Sequence, residues 1–368
     1  LFKKGLFTEA EEHIISEEGG KGPGAREKHE NRGEEEMADQ DKRKEEIISS
    51  AELKAKNEPV LDQRAEDFSR YTFWQYTRTD SIKYILGGGC FWVNSISGMN
   101  DVYESRLHED RKADIFVQSF CNSDTEKIPM SYLYGGITGK GASIGFTPDV
   151  MRSYIRSIRY VTELTEKTDG GRTVFEPGER LEIGKDFELR TGWVFYTKYR
   201  RDESGNADRK TYARVCHRNT FYNVEDPDAF FTDNYFIKDY PWEYEKEFRI
   251  VLINLTGRKI KKIKIDLPEE FRTKKNRKIK VRLGPEISCE GESICGETDY
   301  ERCRREILEK AERKDGESYQ VSVQKSGLGV HMDLLSRNQE DLNTYIGQHP
   351  EYLYEKTREK AADSLKKH

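Results

Sequence analysis

The stretch PWEYEKEFRIVLIN, residues 241–254, decides how the chain is read. Its second half, Ile250-Val251-Leu252-Ile253, is apolar and largely β-branched, which favours a buried strand. Extended back to Pro241 with a period of two, the pattern puts Glu243, Glu245, Glu247 and Arg249 on one face. Trp242, Tyr244, Lys246, Phe248 and Ile250 fall on the other. Pro241 suits a strand entry, where no ladder N–H is needed. Carboxylates this close repel unless cations or a ligand offset them. Two readings stay open: a solvated face with Arg249 as an ion-pair partner, or a carboxylate site at a sheet rim. The three glutamates cannot all be buried and ionised beside one arginine. Glu243 is expected nearest to solvent and Glu247 least solvated.

Downstream, residues 258–282 hold 12 basic and 3 acidic residues. Lys278-Ile279-Lys280-Val281-Arg282-Leu283 alternates strictly, as a half-buried strand with a cationic outer face does. Lys278, Lys280 and Arg282 are thus candidates for nucleic-acid phosphates, or for an edge strand whose lysines deter aggregation. Further on, residues 299–314 read as a helix and 319–323 as a strand. Upstream, strands are expected at 71–76, 90–93, 114–120, 142–146, 157–164 and 193–199. A helix over 81–86 ends at Gly87-Gly88-Gly89, and another starts within 129–134. Residues 165–192 read as a polar connection. His217 stands without a partner motif and is expected to be structural. The fold expected is α+β: a mixed, largely antiparallel sheet with few flanking helices.

Length and charge divide the chain unevenly. Residues 1–70 carry 19 acids and 13 bases, a net of −6 against −5 for all 368 residues, which leaves +1 for the rest. Residues 1–36 are expected to be a disordered tail or translated upstream sequence, with Met37 as a plausible native start. A helical segment at 37–67, one core domain at 68–335 and a C-terminal helical segment at 336–368 come after it. The sequence has no apolar run of transmembrane length. Six cysteines without a CxxC pair fit a reducing, cytoplasmic setting. The glycine-rich stretch 135–141 fails the P-loop pattern, because Tyr134 stands where glycine is required.

The order of motifs resembles a large bacterial family of domains of unknown function. The resemblance rests on Asn100-Asp101 with Glu104, Ser119-Phe120, and Met130 with Tyr132 and Tyr134. It continues through Gly141 to Ile144-Gly145-Phe146, then Lys238 with Trp242, Tyr244-Glu245, Glu247 and Arg249, and Leu283-Gly284-Pro285. It spans about residues 68–335, with departures at Met99, Val102 and Cys121. A second resemblance is to ADP-ribosyltransferases, in which a late strand supplies a glutamate, sometimes as Glu-x-Glu. It implies NAD as substrate, with Glu247 orienting ribose and Glu245 assisting or activating the acceptor. Gln75, Tyr76, Ser119, Tyr132 and Tyr134 would line the pocket, and Arg249 would hold the carboxylates. The first strand carries no histidine, unlike that family. A carboxylate suits the oxocarbenium character that develops when a nicotinamide–ribose bond breaks. A toxin or phage-defence effector is the expected setting. The alternatives are a non-enzymatic nucleic-acid or protein-binding module using the 258–282 face, and a metal-dependent nuclease using Asp101, Glu104 and the glutamates.

Overall fold

The computed structural model describes residues 46–57, 68–98, 111–123, 125–135, 140–169, 172–198, 200–201, 207–208, 214–274, 276–287, 297–312 and 318–328. The chain divides into two compact units, Leu1–Glu46 and Ile47–His368, and the hydrophobic cores lie in the second. The segments expected at 1–36 and 336–368 lie outside the described residues, as do Asp101 and Glu104.

Seven strands form the central sheet: β1 (Phe73–Thr77), β2 (Ile115–Asn122), β3 (Ala142–Phe146), β4 (Phe187–Trp193), β5 (Glu247–Asn254), β6 (Ile279–Leu283) and β7 (Val321–Gln324). Their order is β7-β6-β3-β1-β2-β5-β4. Every pairing is antiparallel except β6 with β7. The fold is therefore α+β with mixed, mostly antiparallel sheets, as the sequence implies.

Strand β5 is buried along its whole length. Phe248, Ile250 and Leu252 enter one core, and Val251 and Ile253 enter another on the opposite face. That split is the period-two alternation of a strand with both faces covered. The first core is closed by helix α1 (Thr79–Gly88), helix α2 (Pro148–Ser157) and a four-stranded antiparallel sheet. Helix α2 buries Val150, Met151, Tyr154 and Ile155 on one side, and Tyr154 packs 5.4 Å from the ring of Phe146. Helix α1 ends where Gly89 turns left-handed (φ 64°), a conformation that glycine adopts without steric cost. Helix α3 (Asp299–Ala311) opens with a Thr298–Glu301 capping box and reaches α1 through the Lys83–Glu306 ion pair. The second core is closed by a five-stranded sheet that contributes Phe195, Val215 and Ile237.

Three local expectations change. Tyr160–Asp169 and Arg172–Glu182 pair as a long antiparallel ribbon, where a strand followed by a polar connection was expected. Cross-strand pairing, invisible to a period count, orders this polar ribbon. The N-terminal segment starts its described part as a strand, Glu46–Ile48, before the capped helix Ser50–Ala55. Strand β6 is not at the sheet edge, because β7 covers it. Among the described residues, no helix is long and apolar enough to cross a membrane.

The deciding stretch also departs from its first reading. Tyr240–Glu245 is a 3₁₀ helix, and β5 begins only at Glu247. Asp239 caps the helix by accepting from the Tyr240 N–H. Pro241 sits in the first turn, where its missing N–H is as harmless as at a strand entry. Lys246 joins the two elements in the left-handed region (φ 46°, ψ 52°), at a steric cost of about 1–2 kcal/mol.

Candidate functional site

Strands β2 and β5 pair with Arg249 opposite Ser119 and Glu247 opposite Cys121, so these four side chains share one face. They share it with Val251 and Ile253, towards the five-stranded sheet. From that sheet, the strand Ile237–Asp239 brings in Lys238. Tyr134, which ends the helix Ile128–Leu133, arrives from the other side.

The result is a buried ionic network. Arg249 grips Glu247 with a two-pronged contact, Nε to Oε1 at 2.7 Å and Nη2 to Oε2 at 3.0 Å. Its Nη1 donates to the Tyr235 carbonyl at 3.0 Å. Lys238 Nζ lies 2.6 Å from Glu245 Oε2 and 3.4 Å from Glu247 Oε2. The Tyr134 hydroxyl donates to Glu245 Oε1 at 2.6 Å, and Ser119 lies opposite Arg249 on the neighbouring strand. Two carboxylates thus face two cations. The solvated-face reading is overturned, since Glu245, Glu247 and Arg249 are 2%, 3% and 1% exposed. Glu243 is only half-buried and pairs with Lys246, in keeping with its expected place nearest to solvent.

The two glutamates differ in acidity. Burial pushes the Glu247 carboxyl up, but Arg249 and Lys238, helped by Ser119, outweigh it and hold the group at about 2. Glu245 moves the other way: burial and the neighbouring Glu247 charge raise it, and Lys238 and Tyr134 only partly restrain the rise. Of the coupled pair, Glu247 stays ionised and Glu245 is the one that takes up a proton first.

Not every expected site residue joins this network. Gln75 accepts from Gln118, which in turn bonds to Tyr154 inside the first core. Tyr76 packs with Trp74, Cys121 and Tyr134, close to the network but not bonded to it. Tyr132 donates to Glu286. Lys280 bonds to Thr72, and Arg282 pairs with Glu126 while lying 4.0 Å from the Trp74 ring centroid, so only Lys278 of the basic trio is exposed. His217 is buried against Phe195, with ring centroids 4.6 Å apart, and burial lowers its pKa to about 4. Among the described residues, no three His, Cys, Asp or Glu side chains gather as metal ligands.

A cleft of about 490 Å³ opens beside the network. Its walls include Glu247, Tyr71, Asn122, Trp193, Arg218 and Lys246. No family model, curated protein or solved structure matches this chain.

Sequence reading missed Lys238 and the cleft. Lys238 stood in the Lys-x-x-x-Trp-x-Tyr-Glu motif, and the need for a second cation was the available signal. The cleft joins residues from 69 to 247 and leaves no local trace.

Proposed function

We propose that the cleft beside Glu247 is the ligand site and that the protein is an ADP-ribosyltransferase-like enzyme acting on NAD. One observation carries this reading: Glu247, whose carboxylate is fixed by Arg249 and Lys238, is a lining residue of a cleft of ligand size. Pockets of about 300–1,000 Å³ hold small molecules, and the roughly 490 Å³ here lies within that range. The residues present suit NAD in kind: Tyr71 offers an exposed aromatic ring, and Asn122, Asn219 and Arg218 offer polar and cationic groups. NAD supplies the nicotinamide–ribose bond to be broken. Glu247, held ionised by Arg249 and Lys238, would orient a ribose hydroxyl and stabilise positive charge as it develops. Arg249 and Lys238 hold its rotamer. Glu245, the more basic of the two glutamates, would hold or release a proton next to Tyr134.

Incubation with NAD and assay of free nicotinamide tests the reading. Wild-type protein should release nicotinamide, and Glu247→Gln should lower the rate by roughly 100-fold or more in the folded fraction. Glu182→Gln is the control, because that side chain is exposed and lies outside the cleft lining. NAD binding without release would instead make the chain a non-enzymatic binding module. A folded and fully active Glu247→Gln protein would end the catalytic role.

A further inference from the structure

Among the described residues, four that are not glycine adopt positive φ: Arg218 (49°), Asn219 (72°), Asp233 (52°) and Lys246 (46°). Three of these, Arg218, Asn219 and Lys246, line the cleft beside Glu247. Side chains other than glycine persist in the left-handed region only where their surroundings over-determine them, and such positions concentrate at ligand sites.

The local architecture shows how the strain is held. Arg218 and Asn219 are the two central residues of the tight turn joining Arg214–His217 to Thr220–Val224, with His217 paired to Thr220. A type I′ hairpin turn needs positive φ at both, and Asn-Gly satisfies that with least strain. Here an arginine takes the first position. Lys246 Nζ donates to Asn219 Oδ1 at 2.6 Å, which ties the turn to the left-handed residue that precedes β5. The Arg218 guanidinium lies 4.5 Å from the Trp193 ring centroid.

Charge in the cleft is lopsided. Arg218 and Arg70 both line it and both are exposed, and neither has a carboxylate partner among the described residues. Lys246 shares Glu243. The charge of Glu247 is already taken by Arg249 and Lys238. Two arginines therefore line an opening whose described carboxylates are already paired, beside the exposed ring of Tyr71.

We propose that Arg218, Asn219, Lys246 and Arg70 form a phosphate subsite that takes the phosphoryl or pyrophosphate group of a nucleotide whose base lies against Tyr71. The proposal rests on the cleft being the ligand site but not on the reaction assigned to it. Arginine matches phosphate oxygens with paired N–H donors. A turn locked in place before the ligand arrives loses less freedom on binding.

Calorimetric titration of the full chain with ADP, adenosine and inorganic pyrophosphate tests this. ADP should bind at least tenfold more tightly than adenosine. Arg218→Ala should weaken ADP by roughly 10- to 100-fold, the usual range for losing a charge-assisted contact, and leave adenosine unchanged. Arg218→Lys should recover only part of the loss, because it restores charge without the fork. Equal affinity for ADP and adenosine, or ADP binding untouched by both Arg218→Ala and Arg70→Ala, overturns the subsite. Pyrophosphate binding as tightly as ADP overturns the nucleotide assignment and points to a free phosphate anion. The two proposals fail separately. ADP binding with no nicotinamide release keeps the subsite and removes the reaction, and nicotinamide release with phosphate-insensitive binding does the reverse.

Discussion

Replacing Lys238 by methionine removes the cation that the two glutamates share while keeping most of the side-chain volume. The distances of 2.6 and 3.4 Å from Nζ to the two carboxylates correspond to gross attractions of about 6 and about 5 kcal/mol at an effective dielectric of about 20. Desolvating the ammonium offsets several kcal/mol of this, so the expected net loss at neutral pH is about 3–5 kcal/mol, typical of a buried pair broken on one side. Glu245 decides how the variant copes. Its pKa is already raised by burial and by Glu247, and Lys238 is among the groups restraining it. Without Lys238 the folded protein should take up a proton there. A carboxyl raised above its unfolded value weakens folding as pH rises through that window. The deficit of the variant should therefore shrink by up to about 1.4 kcal/mol per unit as pH falls from 7 towards 5. Urea denaturation at both pH values reads this directly. The double variant Lys238→Met/Glu245→Gln keeps a Tyr134 partner and leaves Glu247 with Arg249, so it should cost less than Lys238→Met alone. A single variant that loses under about 1 kcal/mol at pH 7, or a double variant worse than the single, would refute the account of a balanced network.

Two further outcomes are expected at other sites. His217, held at about 4 against an ordinary 6.5, binds its proton more readily unfolded, so stability should fall by about 3 kcal/mol as pH drops from 6.5 to 4; His217→Leu should flatten that part of the profile in thermal melts. The change Arg218→Asn puts a residue that tolerates positive φ at the first turn position and keeps the Lys246–Asn219 bond; it should stabilise the fold by about 1 kcal/mol, or about 2–4 °C in Tm, while lowering ADP affinity, and a fall in Tm would show that the Arg218 contact with Trp193 outweighs the turn strain.

How much was legible depended on where the chain obeys one local rule. Ile250 to Ile253 was readable because β-branched residues and burial agree there. From Glu247 onward the parity reading holds, with Glu247 and Arg249 on one face and Phe248 and Ile250 on the other. It fails at Lys246, where one left-handed residue resets the phase of everything before it. Lysine carries no signal for that conformation, and Pro241 fits both a strand entry and a helix start. The alignment of Ser119 with Arg249 depends on the register between two strands more than a hundred residues apart, which a single sequence does not encode locally. Helix α2 is a different case. Its start at Pro148 and its apolar spacing at Val150, Met151, Tyr154 and Ile155 were in plain view, but the strands on either side carry the louder pattern.

The two-faced burial of β5 has a consequence for how the chain reaches its final pairing. If the strand slid by one residue against β2, every side chain would change face. Glu247 and Arg249 would then enter the aromatic core around Phe73, Phe120 and Trp193, far from Lys238, Ser119 and the Tyr235 carbonyl. Phe248 and Ile250 would meet Lys238 in their place. Apolar residues alone discriminate poorly here, because both faces of β5 are greasy and either core would accept a valine or an isoleucine. The charged end of the strand acts instead as a key cut for one lock. A slipped alignment would bury unpaired ions and be disfavoured for that reason, whereas the native register pairs them all.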